Sequence, residues 1–197
     1  MNRDSRKQYN REKLLDQGVR LLMERGYHGT GLQEVLDAVH IPKGSFYNYF
    51  PSKEAFGAEV IRHYIEPFLV QLQDSLANTS DPLVGLRGYF ESLIEEAIRN
   101  DFKGGCLLGN LMGEIGDTSE TCRQALKDAV ERYRDKIGQA LEQAQAQGKI
   151  RADLSALEMA DLIVDYWQGA LLRMKIERSP KPLYAFVRHV FEQVLSS

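Results

Sequence analysis

His40-Ile41-Pro42-Lys43-Gly44-Ser45-Phe46-Tyr47-Asn48-Tyr49-Phe50-Pro51-Ser52-Lys53 is the stretch on which the reading of this chain turns. Pro42 suits the entry of a helix, where a missing N–H costs nothing, and Pro51 stops one. The spacing predicts a short helix between them. At about 100° per residue, Phe46 and Phe50 fall about 40° apart, on one side. Gly44, Ser45 and Asn48 project from the other side, with Tyr47 and Tyr49 on the flanks and Lys43 in the first turn. Two aromatic anchors thus leave a small polar face free. A DNA major groove admits such a helix and presents hydrogen-bonding base edges to it. Lys43, Lys53 and the tyrosine hydroxyls then stand where phosphates run. Asn48 ranks first as a base reader, because its amide can pair bidentately with adenine. A short aromatic helix taken alone more often belongs to a core. The residues before it change the balance.

Leu14, Gly18, Leu21, Leu22 and Arg25 trace one face of a first helix, which Gly26 ends. Residues 1–8 are polar and read as a loose arm carrying Arg3, Arg6 and Lys7. Thr30-Gly31-Leu32-Gln33 has the pattern of a capping box, opening a second helix at Thr30. Leu32, Val35, Leu36 and Val39 repeat at helical spacing, so one side of it is buried. A tight turn at His40-Ile41-Pro42 joins this helix to the next. Two helices on a short turn, the second with a free polar face, make a helix-turn-helix that the first helix buttresses.

The run Gly26-Tyr27 … Thr30 … Ile41-Pro42-Lys43-Gly44-Ser45-Phe46-Tyr47-Asn48-Tyr49-Phe50 … Ser52-Lys53-Glu54-Ala55-Phe56 resembles the N-terminal signature of TetR-family transcriptional regulators. It covers about a quarter of the chain, and His40 stands where many relatives carry Gly. That position is expected to turn left-handed, which His tolerates better than bulky or branched residues. The resemblance implies an all-α chain: a three-helix DNA-binding domain over residues 1–54, then a larger helical effector-binding and dimerisation domain over 55–197. It implies that Thr30 and Gln33 lie near phosphate or a base edge. It matches Lys43, Gly44, Ser45, Tyr47, Asn48 and Tyr49 to recognition-helix positions, and Lys53 to a phosphate-binding lysine. The implied partners are double-stranded operator DNA, a small-molecule effector, and a second copy of the chain.

Further along, Ser52 caps a helix toward Leu76 that Pro67 is expected to kink or split. Asp81-Pro82 opens another, with Leu86, Phe90, Leu93, Ile94 and Ala97 on its buried face. The Gly-rich run Lys103–Gly116 follows. Gly104 and Gly105 would set Cys106 near a helix N-terminus, a place that favours thiolate. If helical, Cys106, Gly109, Asn110 and Gly113 share a face. Thr118 or Ser119 caps a long helix closed by Gly148, whose Cys122 reads as inert packing. Ser155-Ala156-Leu157-Glu158 is a second capping box. Two strongly apolar helices end the chain and are candidates to pair with their copies in another subunit. The segment around Cys106 and the pattern Trp167-Gln168-Gly169-Ala170 … Arg173 … Lys175 … Pro180 … Pro182-Leu183 look like one branch of the TetR family, which includes acrylate-responsive and N-ethylmaleimide- or quinone-responsive repressors. Cys106, Asn110, Trp167, Arg173 and Lys175 are the effector-site candidates: a thiol for electrophiles, basic side chains for its activation or for a carboxylate ligand, and an indole wall.

Bulk properties fit. The chain has 197 residues, 43% hydrophobic and 27% charged, with a net charge of −3. Residues 1–55 carry nine Lys/Arg against seven Asp/Glu, and the remainder sixteen against twenty-one, a weak asymmetry toward a basic N-terminus. Two cysteines make no disulfide framework and fit a reducing compartment. No apolar run reaches membrane-spanning length and the polar start lacks a signal peptide's apolar core, so the expectation is a cytoplasmic protein without membrane contact. The four histidines show no metal-ligand spacing, and neither metal nor cofactor is expected. The alternatives are a helical cysteine-dependent enzyme acting on electrophiles and a helical interaction module that no longer binds DNA. No nucleophile–base constellation supports the enzyme.

Overall fold

Leu14, Leu15, Leu21 and Leu22 are all buried along one side of α1 (Arg3–Arg25). The computed structural model describes residues 3–196, apart from the side chains of Arg3, Asp4 and Lys43, and its described elements are all helical. The expected loose arm is helical from Arg3 onward; Met1, Asn2 and the Arg3 side chain lie outside the described residues. The chain divides into two units, residues 1–66 with 107–129, and residues 67–106 with 130–197.

In the first unit, α1 closes at Gly26, whose φ of 73° suits a residue without a Cβ. α2 spans Leu32–Ala38 and buries Val35 and Leu36. Its N-cap is Gly31, one residue later than the Thr30 pattern predicts. Glu34 accepts the Gly31 N–H at 3.3 Å, the half of a capping box that needs no cap side chain. Thr30 serves the preceding helix instead: its hydroxyl is directed at the carbonyls of Gly26 (2.7 Å) and Leu21 (3.3 Å). α2 ends in a Schellman turn. Ile41 N–H donates to Leu36 O at 3.0 Å and His40 N–H to Asp37 O at 3.2 Å, with His40 left-handed at φ 56° as expected. A Cβ in that region costs about 1–2 kcal/mol. His40→Gly is therefore expected to raise stability by about 1 kcal/mol in urea denaturation, and His40→Val to lower it.

Residues Lys43–Asn48 form a 3-10 helix, tighter than the α-helix the sequence suggests. With three residues per turn, Gly44 aligns with Tyr47, and Ser45 with Asn48, leaving Phe46 on a third, inward row. Phe50 reaches the same side because the segment closes with a wider turn, Phe50 N–H to Phe46 O at 3.0 Å. α3 (Lys53–Ala77) starts at Ser52, whose hydroxyl accepts the Ala55 N–H at 3.0 Å. It runs through Pro67 as one helix, so the expected split does not occur. Gly18 allows α1 to meet α3 closely: a Cβ there would lie 2.6 Å from Val60 and 2.7 Å from Phe56. α5 (Leu107–Ile115) packs against α1 and buries Leu107, Leu108, Leu111 and Ile115. The front of α6 (Glu120–Ala146) completes the unit, entered at Ser119.

In the second unit, α4 (Pro82–Arg99) is capped by Asp81, which accepts the Leu83 N–H at 3.0 Å. Lys149 Nζ lies 2.7 Å from the Asp81 carboxylate and holds its pKa below the usual range. α7 (Ala156–Glu177) opens with a complete capping box between Ser155 and Glu158. α7 packs against α8 (Lys181–His189), and α8 against α4. The chain then winds into a π turn over Val190–Val194. Phe90, Trp167 and Phe186 meet at the centre, with ring centroids 4.8–5.0 Å apart.

Candidate functional site

Phe46 and Phe50 are each 1% exposed, as their spacing predicts. Their rings form a cluster with Phe56 at centroid distances of 4.9–5.6 Å, and the Arg11 guanidinium sits over Phe50. This apolar footing fixes the rotation of the 3-10 helix. Tyr47 is consequently 66% exposed. Gly44 and Asn48 are exposed, Ser45 half-exposed, and nothing lies within 4 Å of where a Gly44 Cβ would be. The Lys43 side chain lies outside the described residues. Tyr49 is half-buried, and its hydroxyl accepts the Asn10 amide at 3.2 Å, tying the 3-10 helix to α1. Gln33 is exposed on the first turn of α2 and donates to Asp37 at 2.5 Å. Thr30 leaves the DNA-contact set: it is 2% exposed and its hydroxyl is occupied by α1.

Lys53 has a structural role beside any phosphate contact. Its ammonium donates to Tyr27 O at 2.9 Å and lies 4.6 Å from the centre of the Tyr27 ring. Burial, with Cys122 and Glu54 nearby, pushes the Tyr27 phenol up to about 12. The same turn is gripped from α5. Glu114 accepts the Tyr27 N–H at 2.8 Å and the His28 N–H at 2.7 Å. A carboxylate bridging two consecutive amides is a strong, charge-assisted contact. Sequence reasoning missed Glu114, since no local pattern marks a side chain whose partners lie 86 and 87 residues away. Cys122 is buried, lies 3.6 Å from the Glu54 carbonyl, and has its pKa raised by burial, as suits inert packing.

The effector candidates separate. In the second unit Cys106 is half-exposed, and the Gln168 amide donates to its sulfur at 3.3 Å. Cys106 stands just before α5 instead of on its face. The aliphatic stem of Lys175 packs against Gly105, 2.9 Å from the position a Cβ would take there. Gln168, about two turns before Lys175 on α7, is a neighbour that sequence reasoning did not single out. Two candidates require correction. Arg173 points to solvent with its side chain 67% exposed and pairs with Glu177 at 2.7 Å, because its position falls on the outer face of α7. Trp167 is 4% exposed within the Phe90–Phe186 cluster and is core, not an open wall. Asn110 belongs to the first unit, where its amide meets Met23 Sδ at 3.7 Å. Among the described residues no His/Cys/Asp/Glu group could hold a metal ion, and no helix is long and apolar enough to cross a membrane.

The outer face of α7 carries Leu162, Gly169, Leu172 and Ile176, at spacings of seven, three and four. Ile176 is 85% exposed and Leu162, Leu172 and Tyr184 about half exposed. Nothing lies within 4 Å of a Gly169 Cβ.

Comparison with known proteins agrees with this architecture. Residues 14–60 match a family model described as bacterial regulatory proteins, tetR family, and residues 82–190 one described as a tetracyclin repressor-like C-terminal domain. The chain is 38% identical to the transcriptional repressor DhaR of Mycobacterium sp. strain GP1, over 95% of this chain and 93% of that one. It is 36% identical to the transcriptional regulator AcuR of Cereibacter sphaeroides, over 90% and 81%. The crystal structure of the reduced form of Escherichia coli NemR matches with a TM-score of 0.83 at 32% identity, over 93% and 95%.

Proposed function

The chain belongs to the TetR family of bacterial regulatory proteins, and from that premise we propose that it is an effector-released transcriptional repressor that grips a palindromic operator as a homodimer. The observation that carries this reading is the 3-10 helix: Phe46 and Phe50 are buried while Gly44, Tyr47 and Asn48 face outward. Asn48 reads a base edge, Ser45, Tyr47 and Tyr49 line the groove, and Gln33, Lys43 and Lys53 meet phosphates. Residues 1–54 carry DNA contact, and 55–197 effector binding and dimerisation. The two subunits join through the outer faces of α7 and α8, where large apolar side chains stand in water. A repressor of this kind works at the chromosome, in the cytoplasm. Its effector is a small unsaturated or electrophilic molecule sensed at Cys106, the half-exposed thiol bonded by Gln168 and preceded by Gly105, against which the Lys175 stem packs. Release requires that the effector bind the non-operator conformation more tightly. The regulators that the chain is similar to, AcuR and NemR, support the repressor reading.

The test starts with operator fragments selected from the host genome. Asn48→Ala is expected to weaken operator binding about 10–100-fold, the worth of one bidentate base contact, and to leave random-DNA binding nearly intact. Lys53→Ala should weaken both alike and reduce the salt slope by about one. Equal loss on both DNAs for Asn48→Ala would remove that residue from base reading. Operator release by an electrophile from wild type but not from Cys106→Ser supports the sensing role; equal release from both removes the thiol.

A further inference from the structure

The peptide group between Tyr27 and His28 is held at both of its polar ends. Lys53 Nζ donates to its oxygen, the Tyr27 carbonyl, at 2.9 Å. Its N–H, on His28, donates to one oxygen of the Glu114 carboxylate at 2.7 Å, and the other oxygen accepts the Tyr27 N–H at 2.8 Å. All of these groups belong to the first unit. The peptide dipole therefore lies between a cation at its oxygen and an anion at its hydrogen, the favourable sense at each end. Hydrogen bonds in such a chain polarise one another, by roughly 10–30% per bond. The carboxylate pushes charge toward the carbonyl oxygen and makes it a better acceptor for the ammonium. The turn is shaped to take that carboxylate. Gly26 is left-handed at φ 73°, and a Cβ there would lie 2.6 Å from Glu114 Oε2. A turn with one left-handed residue can point successive N–H groups at a single anion. Lys53 is half-exposed and lies 4.6 Å from the Tyr27 ring centre, so Tyr27 anchors it twice. One N–H of the ammonium goes to the carbonyl, which leaves donors for phosphate oxygens.

We propose that Glu114 is a positioning residue for DNA binding: acting through the Tyr27–His28 peptide, it fixes where the Lys53 ammonium stands against a phosphate. The proposal rests on the reading of Lys53 as a phosphate contact. Glu114 lies on α5, outside the helix-turn-helix, and needs no DNA contact of its own. A lysine side chain is a flexible stem with a point charge at its tip. Holding that charge in one place before DNA arrives removes an ordering cost from binding. Without the carboxylate, two consecutive amides lose a charge-assisted clamp, the Tyr27 carbonyl becomes a weaker acceptor, and the ammonium is less well placed. The sign of the effect is diagnostic. Removing a negative charge from a DNA-binding protein tightens its hold on a polyanion if electrostatics alone acts. Loss of positioning weakens it.

A double-mutant cycle with Lys53 separates this role from bracing of the turn. Glu114→Gln keeps the shape and one acceptor oxygen, but sets an NH2 group against the second amide. Glu114→Asp keeps the charge and shortens the reach by a methylene. Each is titrated with operator and with random DNA over a range of salt, at a temperature where circular dichroism shows the protein folded. Both substitutions are expected to weaken binding to the two DNAs alike, about 3–10-fold, the worth of one hydrogen bond. The salt slope should fall with them, by up to about one, as in Lys53→Ala. In the Lys53→Ala background the same substitutions are expected to change affinity by less than about 2-fold, because no ammonium is left to position. Losses that multiply in the double variants would show that Glu114 only braces the turn, and would overturn the proposal. Unchanged or tighter DNA binding by Glu114→Gln overturns it too. Should Glu114→Gln melt below the assay temperature, Glu114→Asp carries the same cycle. An unchanged salt slope in Lys53→Ala alone removes the phosphate contact, and the proposal with it. That outcome is distinct from multiplied losses on top of a lowered slope, which leave the phosphate contact standing and remove only the role of Glu114.

Discussion

Leu172→Asp combined with Ile176→Asp is expected to leave a folded monomer whose operator affinity falls at least ~100-fold. Both side chains stand on the outer face of α7, Ile176 85% exposed, so neither supports the core of its own subunit. Surface substitutions of this kind usually change stability by no more than about 0.5 kcal/mol. In a symmetric dimer each residue of the interface occurs twice, so the double variant brings four carboxylates into one desolvated patch. Operator affinity suffers because a dimer engages the second half-site at an effective concentration that a monomer lacks. Sedimentation velocity should show the loss of dimer, circular dichroism an unchanged helical signal, and a half-site fragment should bind about as well as before. A dimer that persists in the double variant would move the interface to another face.

Phe46→Ala and Tyr47→Ala form the second pair of expected results, adjacent residues with opposite fates. Phe46 is 1% exposed and meets Phe50 and Phe56; Tyr47 is 66% exposed. Removing the Phe46 ring leaves a cavity and is expected to cost about 3–5 kcal/mol, which melts the footing of the 3-10 helix and abolishes operator binding. Removing the Tyr47 ring should cost less than about 0.5 kcal/mol of stability and still weaken DNA binding, since only the outward face is altered. Urea denaturation measures the first quantity and operator titration the second. A large stability loss from Tyr47→Ala, with DNA binding lowered only in proportion, would mean that the aromatic face points inward and that the groove-reading role is misplaced.

Lys53 and Glu114 show why some residues are legible and others are not. Lys53 sits in a recognisable run and can be matched by position, yet its bond to the Tyr27 carbonyl is visible only in three dimensions. Glu114 sits in a Gly-rich segment that draws attention to Cys106 and Asn110, and its two amide bonds reach back to the turn after α1. Thr30 fails in the other direction. The pattern Thr30-Gly31-Leu32-Gln33 permits two capping solutions, and the chain spends the hydroxyl on the carbonyl end of α1 while Glu34 caps α2. Local spacing cannot choose between two satisfied arrangements of the same donors.

From the sequence alone came the helical class, the helix-turn-helix, the burial of Phe46 and Phe50 and the caps at Ser52, Asp81 and Ser155. All of these depend on residues within one or two turns of each other, where propensity, periodicity and backbone geometry act directly. Tertiary structure alone decided that α5 joins the N-terminal unit, that Trp167 is core and Arg173 faces water, and that Gln168 holds the Cys106 sulfur. Each of these depends on which of several apolar or polar faces meets which neighbour. That choice is made by packing between segments far apart in the chain, and a one-dimensional pattern carries no record of it.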